Sequence, residues 1–189
     1  MSKKKLLISL VGAMAFAGML FAVYPFLASM KLSEKAKNNS WRVYDLSDMK
    51  PGQLRKLGQA WAYRRTASDF ESYDKLKTIY QDPDMAESEQ PDTAMNQWRS
   101  PDKDFLVFLP WAPVRGCAVI FVEPGTETYE YYEDGQLIAP HAHFREMCEW
   151  RIFDTTGRLL ARGQWPPENN LTIPEMKWES SRRVQIFGG

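Results

Sequence analysis

The sequence predicts an all-β domain that follows a single transmembrane helix, and three observations support this fold class. Residues 6–29 form an apolar run without a charged side chain. Aromatic residues make up 13% of the chain and include seven Trp, which suits a β-rich fold because half-buried strands favour such side chains. Short β-like segments follow, at residues 105–109, 117–122, 149–153, 159–162 and 183–187.

Length and charge limit the classes of function. The chain has 189 residues, so one domain with a substantial core fits behind the apolar segment. The formal net charge is +0 at pH 7, and Lys and Arg are scattered along the chain. Nucleic-acid binding requires a basic patch, and we therefore expect no nucleic-acid partner.

The apolar run follows a basic start, Lys3-Lys4-Lys5. As a helix it would be about 36 Å long, enough to cross a hydrocarbon core of about 30 Å. A cleavable signal peptide also begins with positive charge, but its apolar region is shorter, and Ala28-Ser29-Met30 is a poor cleavage site. We therefore expect residues 1–30 to be a single-pass membrane anchor and the polar residues 31–40 to be a linker.

Two further local features are expected inside the domain. Apolar and aromatic side chains recur at helical spacing over residues 69–80, which predicts a short helix, and an acidic loop over residues 82–92 follows. Residues 123–144 place acidic side chains between tyrosines, and Asp134-Gly135 suits a hairpin turn. This hairpin would either face a partner or form a solvated tip.

One metal hypothesis arises from the histidines. His141 and His143, with Glu146 and Glu149 close behind, resemble the first half of a cupin metal motif, and these donors would suit Zn, Mn or Fe. The second half of the motif is absent, because the chain has only two His. We expect no metal there, and a His141, His143 and Glu146 site remains the alternative.

Two loop-like segments carry a more specific pattern. The first reads Ala112-Pro113-Val114-Arg115-Gly116-Cys117; the second reads Glu146-Met147-Cys148-Glu149, followed by Phe153-Asp154-Thr155-Thr156-Gly157-Arg158. They resemble the loops of Rieske iron-sulfur proteins, which read Cys-Thr-His-Leu-Gly-Cys and Cys-Pro-Cys-His-Gly-Ser before a Tyr-Asp-x-x-Gly-Arg turn. Weaker matches continue the resemblance over nearly all of the chain after residue 40, at Asp45-Leu46-Ser47, Lys50-Pro51-Gly52-Gln53, Arg64-Arg65-Thr66, Asp82-Pro83-Asp84, Gln90-Pro91-Asp92, Asn96, Arg99-Ser100, Gly163, Pro166, Asn170-Leu171 and Ile173-Pro174.

The resemblance implies where a cluster would bind. In that family one Cys and one His from each loop bind a [2Fe–2S] cluster, and the remaining two Cys form a disulfide between the loops. The ligand positions fall here on Ala112, Val114, Glu146 and Glu149.

The chain does not supply the donors that a cluster needs. A cluster requires four thiolate or imidazole ligands, and this chain has two Cys and two His in total. Using all four in a rearranged site would crowd three of them into one short stretch and leave no disulfide. We therefore expect a degenerate member without a cofactor, with Cys117 and Cys148 as the disulfide that the resemblance implies. Two unrelated buried thiols are the alternative.

The resemblance also implies a fold and a location. It points to the Rieske subunit of cytochrome bc1-type, or ubiquinol-cytochrome c reductase, complexes. Residues 41–189 would then form a Rieske-like antiparallel β-sandwich, and residues 31–40 would correspond to its hinge. Disulfides persist in oxidising compartments. We expect a bacterial inner (plasma) membrane protein whose soluble domain lies on the periplasmic side.

Three classes of function are compatible with the sequence. We favour a cluster-free structural or accessory subunit of a membrane respiratory complex, with cytochrome or other respiratory subunits as partners and no catalytic activity of its own. Residues 113–116 and 146–150, together with the helix expected over residues 6–29, would dock onto that partner, with Arg115 and Trp150 as the anchoring side chains. The alternatives are an electron-transfer or metal-binding protein with a rearranged His/Glu/Cys site, and a membrane-anchored binding module for another envelope protein.

Overall fold

The computed structural model describes residues 14, 16, 18, 19, 21, 23, 24, 41–126, 131–133, 136–138, 142–160 and 169–187. The chain divides into two compact units, Met1–Ser40 and Trp41–Gly189. The described residues of the first unit are helical, and no helix within the described part of the chain is long and apolar enough to cross a membrane. Most of the predicted anchor and all of the predicted linker lie outside the described residues, and both stay predictions.

The second unit is mostly β-structure in antiparallel sheets, with one short α-helix among its described residues, which confirms the all-β fold class. The elements are β1 (Trp41–Asp45), β2 (Leu54–Leu57), β3 (Ala60–Arg64), α1 (Ala67–Leu76), β4 (Phe105–Phe108), β5 (Val119–Val122), β6 (Tyr131–Glu133), β7 (Gln136–Ile138), β8 (His143–Glu146), β9 (Ile152–Phe153), β10 (Met176–Ser180) and β11 (Arg183–Phe187), with 3-10 turns at Lys77–Ile79 and Asp92–Ala94.

Within the described part of the domain, antiparallel pairing organises the strands into four small sheets. Three of the sheets have three strands each, in the orders β1-β11-β10, β2-β3-β4 and β5-β8-β9, and the fourth pairs β6 with β7. In the β6–β7 pair Glu133 lies opposite Gln136. The turn predicted at Asp134-Gly135 lies outside the described residues and stays a prediction. The first sheet brings the start and the end of the domain together, because β1 pairs along its whole length with β11.

Of the five predicted strands, three agree with the structure. The strands predicted at residues 105–109, 117–122 and 183–187 appear as β4, β5 and β11. The strand predicted at residues 149–153 is wrong in its first half, because Glu149 lies in a turn and Trp150 has a left-handed backbone conformation with φ of 61°. Only Leu159 and Leu160 of the strand predicted at residues 159–162 are described, and they form isolated bridges.

Helix α1 begins earlier and ends earlier than predicted. Thr66 caps its N-terminus: its hydroxyl accepts a hydrogen bond from the Asp69 main-chain N–H, and the Asp69 carboxylate accepts one from the Thr66 N–H. This reciprocal pair satisfies two main-chain donors that the first helical turn leaves open. The α-helix gives way to the 3-10 turn Lys77–Ile79.

The main core joins the sheet β2-β3-β4 to the sheet β5-β8-β9 through aromatic side chains. Phe144 of β8 is fully buried and packs against Phe108 of β4, with ring centroids 4.5 Å apart. It also contacts Tyr63 of β3 and Phe121 of β5 at 5.8 and 5.5 Å. Aromatic pairs add about 0.5–1.5 kcal/mol each beyond the area they bury. The base of the two loops, where β5 begins and β8 ends, is therefore firmly held.

Three buried arginines, Arg65, Arg99 and Arg158, connect the long segment before β4 to the turn after β9. Their residues are at most 3% exposed. Arg99, for example, donates hydrogen bonds to the carbonyl oxygens of Gly157 and Leu171 at 2.7 and 2.6 Å. Burial lowers the pKa of Arg65 to about 10 and that of Arg99 to about 9, so both stay charged at neutral pH. A guanidinium offers five donors in a fixed plane and can hold several carbonyl oxygens at once.

The turn that follows β9 is built around Asp154. Its carboxylate accepts hydrogen bonds from the main-chain N–H groups of Thr156 and Arg158 at 3.0 and 2.8 Å, and from the Tyr80 hydroxyl at 2.6 Å. Burial, and then the nearby Asp154 charge, raise the pKa of Tyr80. Asp154, Thr156 and Arg158, which belong to the motif after the second loop, thus form part of a buried polar network beside the core.

Candidate functional site

The first loop is a tight turn between β4 and β5. Its ends meet where Trp111 bridges to Ala118, and the Ala112 N–H donates to the Cys117 carbonyl at 2.8 Å. The Gly116 N–H donates a hydrogen bond to the Ala112 carbonyl oxygen at 2.8 Å. Gly116 has φ of 67°, a conformation that glycine adopts without strain. This closed turn fixes the direction in which the exposed side chains of Val114 and Arg115 point.

The second loop lies between β8 and β9, next to the first. The Met147 N–H donates to the Ala118 carbonyl at 3.0 Å, and the Glu146 N–H donates to the Arg151 carbonyl at 2.8 Å. Trp150 completes the loop with a positive φ of 61°, which is uncommon for a bulky residue. Main-chain hydrogen bonds thus hold the second loop both to itself and to the first loop.

A disulfide between Cys117 and Cys148 joins the two loops. The two residues are 31 positions apart in sequence, and their Cα atoms are 6.0 Å apart, a usual separation for a disulfide. Closing a loop of this size stabilises the folded state by about 3–4 kcal/mol in the chain-entropy account. The pairing that the family resemblance implied is present in the structure.

The four positions implied as cluster ligands carry no thiolate or imidazole. Ala112 is fully buried, Val114 is 60% exposed, and neither side chain has a donor atom. Glu146 is only 1% exposed, and its two carboxylate oxygens accept hydrogen bonds from the main-chain N–H groups of Cys148 and Glu149. The Glu146 side chain therefore serves as the internal support of the second loop.

Glu149, the remaining position, links the two loops electrostatically. One of its carboxylate oxygens lies 2.5 Å from Arg115 Nη1 in the first loop, and the other lies 2.6 Å from Arg151 Nη2. The Arg151 side chain is 6% exposed and the Arg115 side chain is 40% exposed, so this small network runs from the interior to the surface. Partial burial reduces the screening of such pairs by salt compared with fully exposed ones.

Apolar side chains project from both loops. Val114, Met147 and Trp150 are 60%, 43% and 43% exposed, and we call these three residues the tip surface. The Arg145 guanidinium lies 4.4 Å from the centre of the Trp150 ring, a cation–π contact that supports the ring from one side. An exposed, supported Trp beside other apolar side chains is typical of a surface that binds another protein.

His143 and Glu146, two of the residues of the alternative metal site, are the first and last residues of β8. Both residues belong to β8, three positions apart, and residues at odd spacing in a strand point to opposite faces. His141 lies outside the described residues, so the full alternative stays a prediction. Among the residues that the structure describes, the group of potential ligand atoms that converges here comes from Cys117, Glu146 and Cys148, all within 4.8 Å of one another.

Sequence reasoning missed the contacts made by the carboxylates. Arg115 precedes Cys117 by two residues and Glu149 follows Cys148 by one. Opposite charges that flank the two ends of an implied disulfide would have predicted the ion pair. No comparable signal exists for Glu146, because its contacts depend on the course of the main chain.

Comparison with known proteins finds a distant relative of this chain. No protein family model matches it. The chain is 24% identical over 189 residues to the ubiquinol-cytochrome c reductase iron-sulfur subunit of Allochromatium vinosum, and the alignment covers 97% of this chain and 87% of that protein. This similarity supports the resemblance to Rieske iron-sulfur subunits over most of the chain.

Proposed function

We propose that this chain is a cluster-free, Rieske-like subunit with a structural or accessory role in a membrane respiratory complex. The main support for this proposal is that the implied ligand positions either have another role within the protein or lack a donor atom. Glu146 supports the main chain of its own loop, Glu149 pairs with two arginines, and Ala112 and Val114 have no donor atom.

The donor set does not fit a [2Fe–2S] cluster. Such a cluster is bound by thiolates and imidazoles, whereas Cys117 and Cys148 are consumed by the disulfide. The carboxylates of Glu146 and Glu149 are hard oxygen donors that already have protein partners. We therefore assign the domain no electron-transfer step and no catalytic activity of its own.

The proposed role is docking through the tip surface. In this proposal residues 41–189 form a Rieske-like β-sandwich on the periplasmic side of a bacterial inner membrane, and residues 1–30 anchor it there. The disulfide, the ion-pair network and the Arg145–Trp150 contact keep the tip surface in a fixed shape without a metal. A preorganised surface loses little conformational entropy on binding.

The choice of a respiratory complex rests on the similar protein. That relative is named as a subunit of ubiquinol-cytochrome c reductase, so a cytochrome-containing complex is the first partner to test. The partner would receive Val114, Met147 and Trp150 in an apolar depression and meet Arg115 at its edge.

Two measurements on one preparation test this function. The full-length protein, with a tag that contains no histidine, would be purified from gently solubilised membranes and resolved on native gels. We expect it to migrate with a cytochrome subunit, and we expect iron and acid-labile sulfide to be absent from the protein after dissociation from its partner. Migration alone would contradict the accessory role, and near-stoichiometric iron and sulfide would contradict the cluster-free site.

A further inference from the structure

We propose that reduction of the Cys117–Cys148 disulfide converts the tip into a Zn²⁺ site whose protein ligands are Cys117, Cys148 and Glu146. The proposal does not depend on docking, because it concerns the isolated chain. It rests on the convergence of two sulfur atoms and one carboxylate within 4.8 Å.

The donor set matches the chemistry of zinc. Zn²⁺ binds thiolate sulfur at about 2.3 Å and carboxylate oxygen at about 2.0–2.2 Å, in a tetrahedron. These bond lengths place tetrahedral ligand atoms about 3.5–3.8 Å apart. The three ligand atoms here lie within 4.8 Å of one another, and the two sulfur atoms, which are bonded in the disulfide, must move apart to reach that spacing. Three protein ligands leave one position for water.

Glu146 is already oriented toward the two sulfurs. Each of its carboxylate oxygens accepts one main-chain N–H, from Cys148 and from Glu149. A carboxylate oxygen has two lone pairs, so each oxygen keeps one that a metal can use. The N–H groups thus act as outer contacts that hold the ligand in place, as hydrogen bonds to metal-bound carboxylates do.

The disulfide can be reached by a reductant and can open without unfolding the loops. Cys148 lies on the exposed side of the second loop, whereas Glu146 is buried behind it. After reduction the sulfur atoms must separate from about 2.0 Å to about 3.8 Å. Rotation of the exposed Cys148 side chain supplies this distance. The main-chain hydrogen bonds that hold both loops can stay in place, because they join N–H and carbonyl groups.

A dithiol transfers two electrons and two protons to the disulfide, so the sulfur–sulfur bond breaks, two thiols form and the dithiol becomes a disulfide. Zn²⁺ then displaces the two thiol protons, which pass to solvent, while the Glu146 carboxylate binds without losing a proton.

Zinc titration of the full chain in detergent tests the proposal. The protein carries a tag without histidine, and a phosphine replaces the dithiol as reductant because dithiols themselves bind zinc. In competition with a chromophoric chelator, we expect the reduced protein to bind one Zn²⁺ per chain and the oxidised protein to bind none. Absence of binding by the reduced protein, or equal binding in both states, would overturn the proposal.

Variants and spectroscopy identify the ligands. Cys148→Ser should abolish binding, and Glu146→Gln should weaken it by about tenfold or more. Glu179→Gln, which changes an exposed carboxylate of β10 outside the two loops, should leave the affinity within about twofold. Unchanged affinity in Glu146→Gln would contradict the assignment.

A measurement on the unaltered chain remains decisive if a variant does not fold. X-ray absorption at the zinc edge of the reduced, zinc-loaded protein should show two sulfur and two oxygen neighbours. A shell without sulfur would overturn the site.

Discussion

Arg115 Nη1 lies 2.5 Å from Glu149 Oε1, and this contact joins the first loop of the domain to the second. The same carboxylate reaches Arg151, which is almost completely buried. Glu149 stands where the family resemblance implies a cluster ligand. The Glu149 carboxylate thus connects the two loops through an ion pair. In the family that the chain resembles, the side chain at this position would bind the cluster.

We predict that Glu149→Gln destabilises the domain by about 1–3 kcal/mol, because the buried Arg151 guanidinium loses its carboxylate. Urea unfolding measures this change. Glu179→Gln is the matched control: Glu179 pairs with Arg183 at 2.8 Å, but both side chains are more than one-third exposed. Its effect should be at most about 1 kcal/mol. Equal effects of the two substitutions would show that the network at the tip adds nothing beyond an ordinary surface pair.

The docking proposal makes a prediction about Trp150. Trp150→Ala should raise the Kd for the cytochrome partner by about 30-fold and so lower the amount that co-purifies, since a central aromatic anchor commonly contributes about 2 kcal/mol or more to binding. Phe187→Ala is the control, because Phe187 is also an exposed aromatic, 40% exposed against 43%, but belongs to β11. A loss of partner that is the same for both variants would point away from the tip surface.

The disulfide should contribute measurably to stability. Replacing Cys117 and Cys148 together by Ser should lower the free energy of unfolding by about 3–4 kcal/mol. The wild-type protein unfolded in the presence of a phosphine should show a similar loss, and phosphine should leave the variant unchanged. Mass analysis of non-reduced digests should recover the linked peptides. Recovery of both thiols free from fresh membranes would contradict the disulfide.

A pair of glycines tests the buried arginine network. Gly157 and Gly125 both have φ of 76°, but a Cβ at Gly157 would lie 2.9 Å from Arg99 Nη1, whereas a Cβ at Gly125 would meet no atom within 4 Å. Gly125→Ala should therefore cost only the strain of a left-handed alanine, about 1 kcal/mol. Gly157→Ala should cost at least about 2 kcal/mol more, because Arg99 must give up hydrogen bonds to main-chain carbonyls. Similar unfolding midpoints for the two variants would refute this reading of the network.

The sequence predicted the class of fold and the position of the loops better than it predicted their internal contacts. Strand β11 was predictable because its alternating side chains match a half-buried strand, and the Cys117–Cys148 pairing followed from the family resemblance. The predicted strand at residue 149 failed because Trp150 takes a positive φ, which local composition does not signal. Burial of Arg99 was equally hidden, since arginine is almost never fully buried unless its donors find partners far away in sequence.

The free energy of unfolding should depend on the protonation of Tyr80 at high pH. Burial and the Asp154 charge raise the pKa of Tyr80 above its ordinary value of about 10. The native protein therefore keeps the Tyr80 proton at a pH where the unfolded chain loses it. This contribution to stability is complete below pH ~10 and is lost above it, by about 1.4 kcal/mol per pH unit.

Urea unfolding between pH 9 and pH 12 measures that slope. Tyr80→Phe removes the titrating hydroxyl, so its free energy of unfolding should fall less steeply with pH above about 10, by about 1.4 kcal/mol per pH unit. Tyr63→Phe should change the slope in the same direction, because burial and then Asp69 raise the pKa of Tyr63. At neutral pH the Tyr80 variant should still be less stable than wild type, since Asp154 loses a hydrogen-bond donor. Parallel pH profiles for Tyr80→Phe and wild type would mean that Tyr80 ionises equally easily in the folded and unfolded chain.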